Sequence, residues 1–376
     1  MNPMSRTMID IHVLQTVPPS NLNRDDTESP KTAVYGGVRR SRVSSQAWKR
    51  ATRVDFESHL DSSELGTRTK RVVEWLAEEI TAQAPELESR ATELATETIK
   101  AVGIEVKAPE KETSPQSGYL LFLSRRQIQN LAGAAIEAAE TDDVRKALKE
   151  AKVKDLADRE HSVDIALFGR MVADQADINV DAAAQVAHAI SVHPVETEFD
   201  YYTAVDDRNQ DHETGAGMIG TVEFNSSTLY RYATIDVNRL ADNLGDTTAV
   251  RRAVEAFLES FVRSMPSGKQ NTFANRTLPE AVVVLARDSQ PINLVGAFEN
   301  PVREPVHSGR VKRAADALLE EAQEIERAYG EQPIDSWVTR VGEDTASLDE
   351  LGSNVSLTEM VTQLGELVGT RAEERS

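Results

Sequence analysis

Met8-Ile9-Asp10-Ile11-His12-Val13-Leu14 sets Ile9, Ile11 and Val13 against Asp10 and His12, the two-residue period of a strand with one buried and one wetted face. Pro18-Pro19 closes the run, so a half-buried strand is predicted over 8–16. From Asn21 to Val43 no helical period appears, and Asp25, Asp26, Ser29-Pro30 and Gly36-Gly37 mark a long loop or twisted hairpin. Ser44 and Ser45 are N-cap candidates for a helix ending near Leu60, with Ala47, Trp48, Ala51 and Val54 as its inward stripe. Helical periodicity then dominates 67–157, through Val72, Val73, Leu76 and Ile80 and later Leu120, Leu121, Ile128 and Leu131. Val163 to Met171 predicts a buried strand, 180–191 a helix, and Thr221 to Val237 two strands turned at Asn225-Ser226-Ser227. Amphipathic helices are predicted over 247–264, 310–329 and 357–368, with Val282 to Leu285 a strand. Strands separated by a long helical insertion place the chain in the α+β class.

Composition narrows the function. The chain has 376 residues with 42 Lys and Arg against 62 Asp and Glu, a net charge of −20. A uniformly basic nucleic-acid coat is excluded, so any anion site is local. The absence of cysteine rules out disulfides, thiol nucleophiles and Cys-ligated metal. Met1 to Leu14 has no apolar leader and the longest apolar runs, such as Ala281 to Ala286, are too short for a bilayer, so a cytoplasmic protein without a membrane partner is expected. Gly215-Ala216-Gly217-Met218-Ile219-Gly220 has dinucleotide-loop spacing but precedes a strand, whereas that motif must open a helix. His188 and His193 are five apart, unlike a helical metal pair. No cofactor and no metal site is expected.

One segment breaks the acidic pattern. Lys31, Arg39, Arg40, Arg42, Lys49, Arg50 and Arg53 fall within 23 residues that hold no carboxylate. With a Debye length of about 8 Å at physiological salt, a phosphate on this island feels it far more than distant acidic surface. Ser44-Ser45-Gln46 opens the predicted helix, where free N–H groups favour phosphate. The alternative is a solvated face paired with carboxylates of this chain or a neighbouring subunit.

The residues then carry a resemblance. Asn21-Leu22-Asn23-Arg24-Asp25-Asp26, Lys31-Thr32-Ala33, Gly36-Gly37, Arg39-Arg40, Val43-Ser44-Ser45-Gln46 and Lys49-Arg50 resemble the CasC family, the backbone subunits of the type I-E CRISPR Cascade complex. Val163 to Leu167, Gly169-Arg170-Met171, Ala187 to Ile190, Thr203 to Asp207, Tyr230 to Ala233 and Gly268-Lys269-Gln270 continue it in order. The resemblance implies an RRM-like (ferredoxin-like) palm over 1–60, 158–195 and 221–376, helical fingers over 61–157 and a thumb over 196–220. It implies a non-catalytic subunit that binds CRISPR RNA and polymerises along it as about six copies beside other Cascade subunits. The guide would then be presented to target DNA in segments of about five nucleotides, gripped by its backbone so that any base sequence fits. Carried over residue by residue, Lys31, Ser44, Gln46, Lys49 and Arg50 would grip the guide, with Arg24 and Lys269 nearby and Met171 as a wedge between bases. Arg39, Arg40, Arg42, Ser45 and Arg170, which neighbour these positions, complete the candidate set. Trp48 and Phe168 are bulkier than the family pattern.

An enzymatic alternative centres on Asp25 or Asp26, since related type III backbone subunits cut target RNA with metal at a first-loop Asp. Against it stands a structural role in Asx turns or a salt link to Arg24. His12 is a second candidate acid or base. Asp206-Asp207 would bind a cation or cap a turn, and Tyr201-Tyr202 and Tyr230-Arg231-Tyr232 would stack bases or sit half-buried in strands. Lys146, Lys149, Lys152 and Lys154 would guide target DNA or form an ordinary solvated helix face.

Overall fold

The first strand, β1 (Met8–Ser20), passes straight through Pro18-Pro19 rather than stopping before them. In this computed structural model, residues 6–107, 114–172, 175–203, 219–303 and 309–375 are described. They form two units, one of residues 1–55, 186–235 and 257–367 and one of 56–185, 236–256 and 368–376. Asp206-Asp207 and the glycines at 215 and 217 lie outside the described residues.

The first unit is built on a mixed sheet. Its strands include β1, β2 (Thr32–Tyr35), β3 (Val38–Val43), β4 (Ala189–Ser191), β5 (Glu198–Thr203), β6 (Ile219–Asp236), β7 (Ala281–Arg287), β8 (Asp335–Arg340) and β9 (Ser353–Asn354). The path is β9-β8-β7-β1-β6-β4-β3-β2, with β5 paired only to the start of β6. β1 and β7 are antiparallel from Met8 opposite Arg287 to Leu14 opposite Ala281. The prolines fall beyond that register, where this ladder no longer requires an N–H and extended backbone suits their fixed φ. All seven residues of β7 are buried, as befits a strand covered on both faces. Leu14, Val283, Leu285 and Val338 share one core with Leu294, Phe298 and, from the helix Arg310–Tyr329, Ala314, Ala315 and Leu318.

The half-buried reading of β1 is overturned. Asp10 and His12 are buried because the second face is also covered, and each finds polar partners within the unit, although His12 Nε2 has none. Tyr232 Oη donates to Asp10 Oδ1 at 2.7 Å, the Ile292 N–H donates to Oδ2 at 2.9 Å, and the Arg287 guanidinium stands 3.3 Å away. His12 Nδ1 lies 2.9 Å from Tyr230 Oη.

Two other readings of this unit change. Residues 189–191 are strand, not helix: Ile190 pairs with Arg42 on one side and Tyr230 on the other, and that pairing outweighs local helix propensity. β6 is one continuous strand. Asn225 and Ser227 are buried in its middle, Asn225 Oδ1 accepting from Ser41 Oγ, so side chains that look turn-forming are used across the sheet. The hairpin of β2 and β3 turns at Gly36-Gly37, with φ of 58° and 75°. A Cβ on Gly36 would collide with the Glu299 carbonyl. Gly36→Ala is therefore expected to destabilise the unit by about 2 kcal/mol or more, read as a lowered Tm by circular dichroism; an unchanged melt would contradict this turn geometry.

The second unit is helical. Val72–Gln83, Ala91–Val102 and Arg125–Ala139 bury Leu76, Ile80, Leu94, Ile99, Ile128 and Leu131 in one core. Leu121–Ser124 is a strand paired to Gly66–Thr69, not part of a helix. Ser124 ends it and caps the next helix, accepting from the Gln127 N–H at 3.0 Å while Gln127 Oε1 accepts from the Ser124 N–H at 2.9 Å. Val163–Phe168 is a helix rather than a strand. The run is too short for its period to be decisive, and Gly169, at φ 78°, terminates it where a Cβ would crowd the Val180 carbonyl.

Candidate nucleic-acid interface

The basic island folds around α1 (Ser45–Asp55) in the first unit. Its buried side is Trp48 and Thr52, while Gln46, Lys49, Arg50 and Arg53 recur at helical spacing on the outward side. Val54, expected inside, is 49% exposed, and Thr52 takes its place. Trp48 is fully buried, so its bulk points into the core and away from the cationic face. The Arg231 guanidinium is stacked on it at 3.7 Å, with the Phe261 ring at 4.4 Å. Arg231 donates to Gln15 Oε1 at 2.5 Å and to the Phe261 carbonyl. Burial pushes the Arg231 pKa down to about 9.

The loop before β2 is tied to the start of α1. The Ser44 N–H donates to Asn23 Oδ1 at 2.9 Å, the Lys31 N–H to the Asn23 carbonyl at 2.9 Å, and the Arg42 N–H to the Lys31 carbonyl at 2.9 Å. Asn23, Lys31, Ser41 and Arg42 line one narrow cleft. Ser44 Oγ accepts from the Ala47 N–H at 3.3 Å, the N-cap expected of it. A Cβ on Gly268 would strike the carbonyls of Asn21 and Leu22, so this close approach seats Lys269, at φ 51°, beside the loop. Arg24 is bridged to Pro30 and forms an ion pair with Glu28 at 3.3 Å. Lys49 is half-buried, which lowers its pKa by desolvation, while Arg50 and Gln46 are exposed.

Not every candidate faces outward. Arg40 is buried, its guanidinium donating to the carbonyls of Tyr35 at 3.1 Å, Ser191 at 2.8 Å and Phe298 at 2.7 Å. It ties the hairpin to the core and is withdrawn from the RNA-facing set, because alternation along β3 turns it inward. Arg39 is exposed on the other pleat. In the second unit, Arg170 is likewise buried, donating to the Ile178 carbonyl at 2.8 Å and paired with Asp158 at 3.0 Å, and burial lowers its pKa to about 10. Its neighbour Met171 is 83% exposed, and Phe168 stacks on Phe56, centroids 5.9 Å apart.

The rival constellations resolve locally. Asp25 Oδ1 accepts from the Thr27 N–H and Oγ1 and from the Ser29 N–H, at 2.8–3.0 Å. The Thr27 and Ser29 hydrogen bonds and nearby Lys31 hold its carboxyl below the usual range. His12 is buried, and desolvation pushes its pKa down to about 3. Tyr230 and Tyr232 are core residues, whereas Phe199, Tyr201 and Tyr202 are exposed on the ribbon of β5. Lys146 pairs with Glu150 one turn along its helix and Lys154 with Asp177 on a separate turn, so both ammonium groups have carboxylate partners within the unit. Among the described residues, no group of three or more His, Asp or Glu side chains is placed to hold a metal, and no helix is long and apolar enough to cross a membrane.

Residues 9–363 match the CT1975-like protein family. This chain belongs to that family. A chain of a "CRISPR RNA-guided surveillance complex, pre-nicking" is 33% identical to the CT1975-like chain, with a TM-score of 0.81 over 95% of this chain and all of that one. A chain of a "CRISPR RNA-guided surveillance complex" is 28% identical at a TM-score of 0.70, covering 95% of this chain and 99% of that one. Among curated proteins none matches. The resemblance to Cascade backbone subunits is thereby borne out, and the α+β class holds as a large mixed sheet with many helices. Asn23 and His188 both contact the segment that opens α1, and neither is in the candidate set that the sequence supplied. His188 meets Ser45 across 143 residues, a separation no local pattern reveals.

Proposed function

We propose that this protein is a non-catalytic backbone subunit of a type I-E Cascade complex in the cytoplasm, gripping CRISPR RNA through its sugar-phosphate chain. The first unit serves as an RRM-like palm and the second carries helical fingers, with the ribbon of β5 and β6 beginning a thumb. About six copies polymerise along one guide beside other Cascade subunits, and avidity multiplies modest single-site affinity. The guide is exposed for pairing with target DNA in segments of about five nucleotides. The observation that carries this reading is the convergence of Lys31, Arg42, Ser44, Gln46, Lys49 and Arg50 around one helix start and its outward face, in a stretch free of carboxylates. Nothing in that surface selects a base; cations and backbone N–H groups select phosphate.

The test is salt. With about six phosphates neutralised per copy, log affinity for single-stranded RNA is expected to fall with log salt at a slope near −4 per copy. The purified protein is expected to carry RNA, seen as an elevated 260/280 nm absorbance ratio. A slope near zero, or protein free of RNA that binds none on addition, would sink the proposal. Complementary RNA incubated with the assembly and Mg²⁺ is expected to stay intact; cuts at regular spacing would instead favour a nuclease at Asp25 or Asp26.

A further inference from the structure

β3 and β4 pair at Val43 opposite Ala189 and Arg42 opposite Ile190, which brings His188, just ahead of β4, against the beginning of α1. His188 Nδ1 lies 3.3 Å from Arg42 Nη1 and 3.3 Å from the backbone N of Ser45. A guanidinium and a backbone amide can only donate. Nδ1 is therefore an unprotonated acceptor, and the ring hydrogen of neutral His188 sits on Nε2. Two donors from different elements converge on one acceptor beside Arg42 and the start of α1, and the imidazole is exposed.

We propose that His188 is a proton-linked phosphate ligand: in the free protein Nδ1 occupies the place a guide phosphate oxygen takes on binding, and once displaced it accepts a proton from solvent and donates to that phosphate. The inference rests on the RNA-binding reading above. In the exchange, Arg42 Nη1 and the Ser45 N–H redirect their hydrogen bonds from Nδ1 to phosphate oxygen, so neither donor is lost. The imidazole takes one proton, and the added positive charge lies against the phosphate.

The charges around His188 give the sign. Arg42 on β3 and Lys31 in the loop before β2 are the ionisable groups acting on it, and α1 contributes the Ser45 N–H. Partial burial and then these two cations hold the free imidazole below its ordinary pKa. A bound phosphate opposes both cations and raises it. RNA binding thus takes up a proton, and affinity rises as pH falls through the interval between the free and bound pKa values, tenfold per unit of separation.

The experiment compares wild type with His188→Asn, using polyuridylate at constant ionic strength from about pH 8 down to about 5.5. The Asn amide oxygen accepts from the Ser45 N–H and Arg42 as Nδ1 does but cannot take a proton. Wild type is expected to tighten several-fold, up to about tenfold, towards the acid end. His188→Asn, whatever its affinity near pH 8, is expected to lose that part of the slope. Identical pH profiles for the two proteins would overturn the role of His188 while leaving RNA binding intact. Wild type that binds no polyuridylate at any pH would overturn the RNA-binding reading itself.

Discussion

Lys49→Glu combined with Arg50→Glu is expected to abolish retention of guide RNA while the protein stays folded. Both side chains project from the outward side of α1, Arg50 exposed and Lys49 half-buried, so neither reversal disturbs Trp48 or Thr52 beneath. Each substitution removes a charge-assisted contact worth about 1.5–3 kcal/mol and puts a carboxylate where phosphate would lie. A loss of at least about 3 kcal/mol per copy is more than a hundredfold in single-site affinity, and repetition along the guide compounds it. The measurement is a filter or gel-shift titration of the double variant, with circular dichroism to verify folding. Undiminished RNA retention would remove the cationic helix face from the mechanism.

Trp48→Ala is expected to have the largest effect on stability. The ring is fully buried and packs with Val17, Leu22, Val43, Ala189 and Leu229, so its truncation costs about 3–5 kcal/mol through lost burial and the cavity left behind. Arg231 enlarges the loss. Its guanidinium is covered by the indole on one side and by Phe261 on another, and without the indole a buried cation loses part of its compensation. Urea denaturation followed by tryptophan-independent circular dichroism gives the value; a change below about 1 kcal/mol would mean that Trp48 does not anchor α1. Trp48→Phe, which keeps an aromatic face for Arg231, is expected to recover about half or more of the loss.

The bulky Trp48 that departs from the family pattern thus lies on the side of α1 opposite the cations. Burying its largest side chain orients the helix, and the outward direction of Lys49 and Arg50 follows from where the indole goes. Arg40 shows the converse. It belongs to the same basic run as Arg39 and Arg42, yet its guanidinium donates to four carbonyls of its own unit. Composition counts charges but does not say which strand face will be covered.

The readings that hold and those that fail separate by the range of the interaction deciding them. The helices Thr247–Arg263, Arg310–Tyr329 and Leu357–Glu373 and the strand Ala281–Arg287 lie where periodicity puts them, because an amphipathic stripe or a long apolar run is written within the element itself. Val163–Phe168 and Ala189–Ser191 are short segments, and each takes the opposite state from the one expected. For three or six residues, neighbours in space outweigh local preference.

By itself the amino-acid sequence determined the α+β class, the dense carboxylate-free cationic segment over 31–53 in an acidic chain, the helix start at Ser44-Ser45 and the family resemblance, all of which depend on residues close together along the chain. Only the tertiary structure decided that Asp10 and His12 are interior, that Arg40 and Arg170 are structural cations, that Asp25 is held in a local turn, and that His188 stands against Arg42 and Ser45. Those outcomes hinge on which faces of a sheet are covered and which distant strands pair. Such pairing is settled by burying apolar surface and satisfying buried polar groups across the whole fold, and no window along the chain contains it.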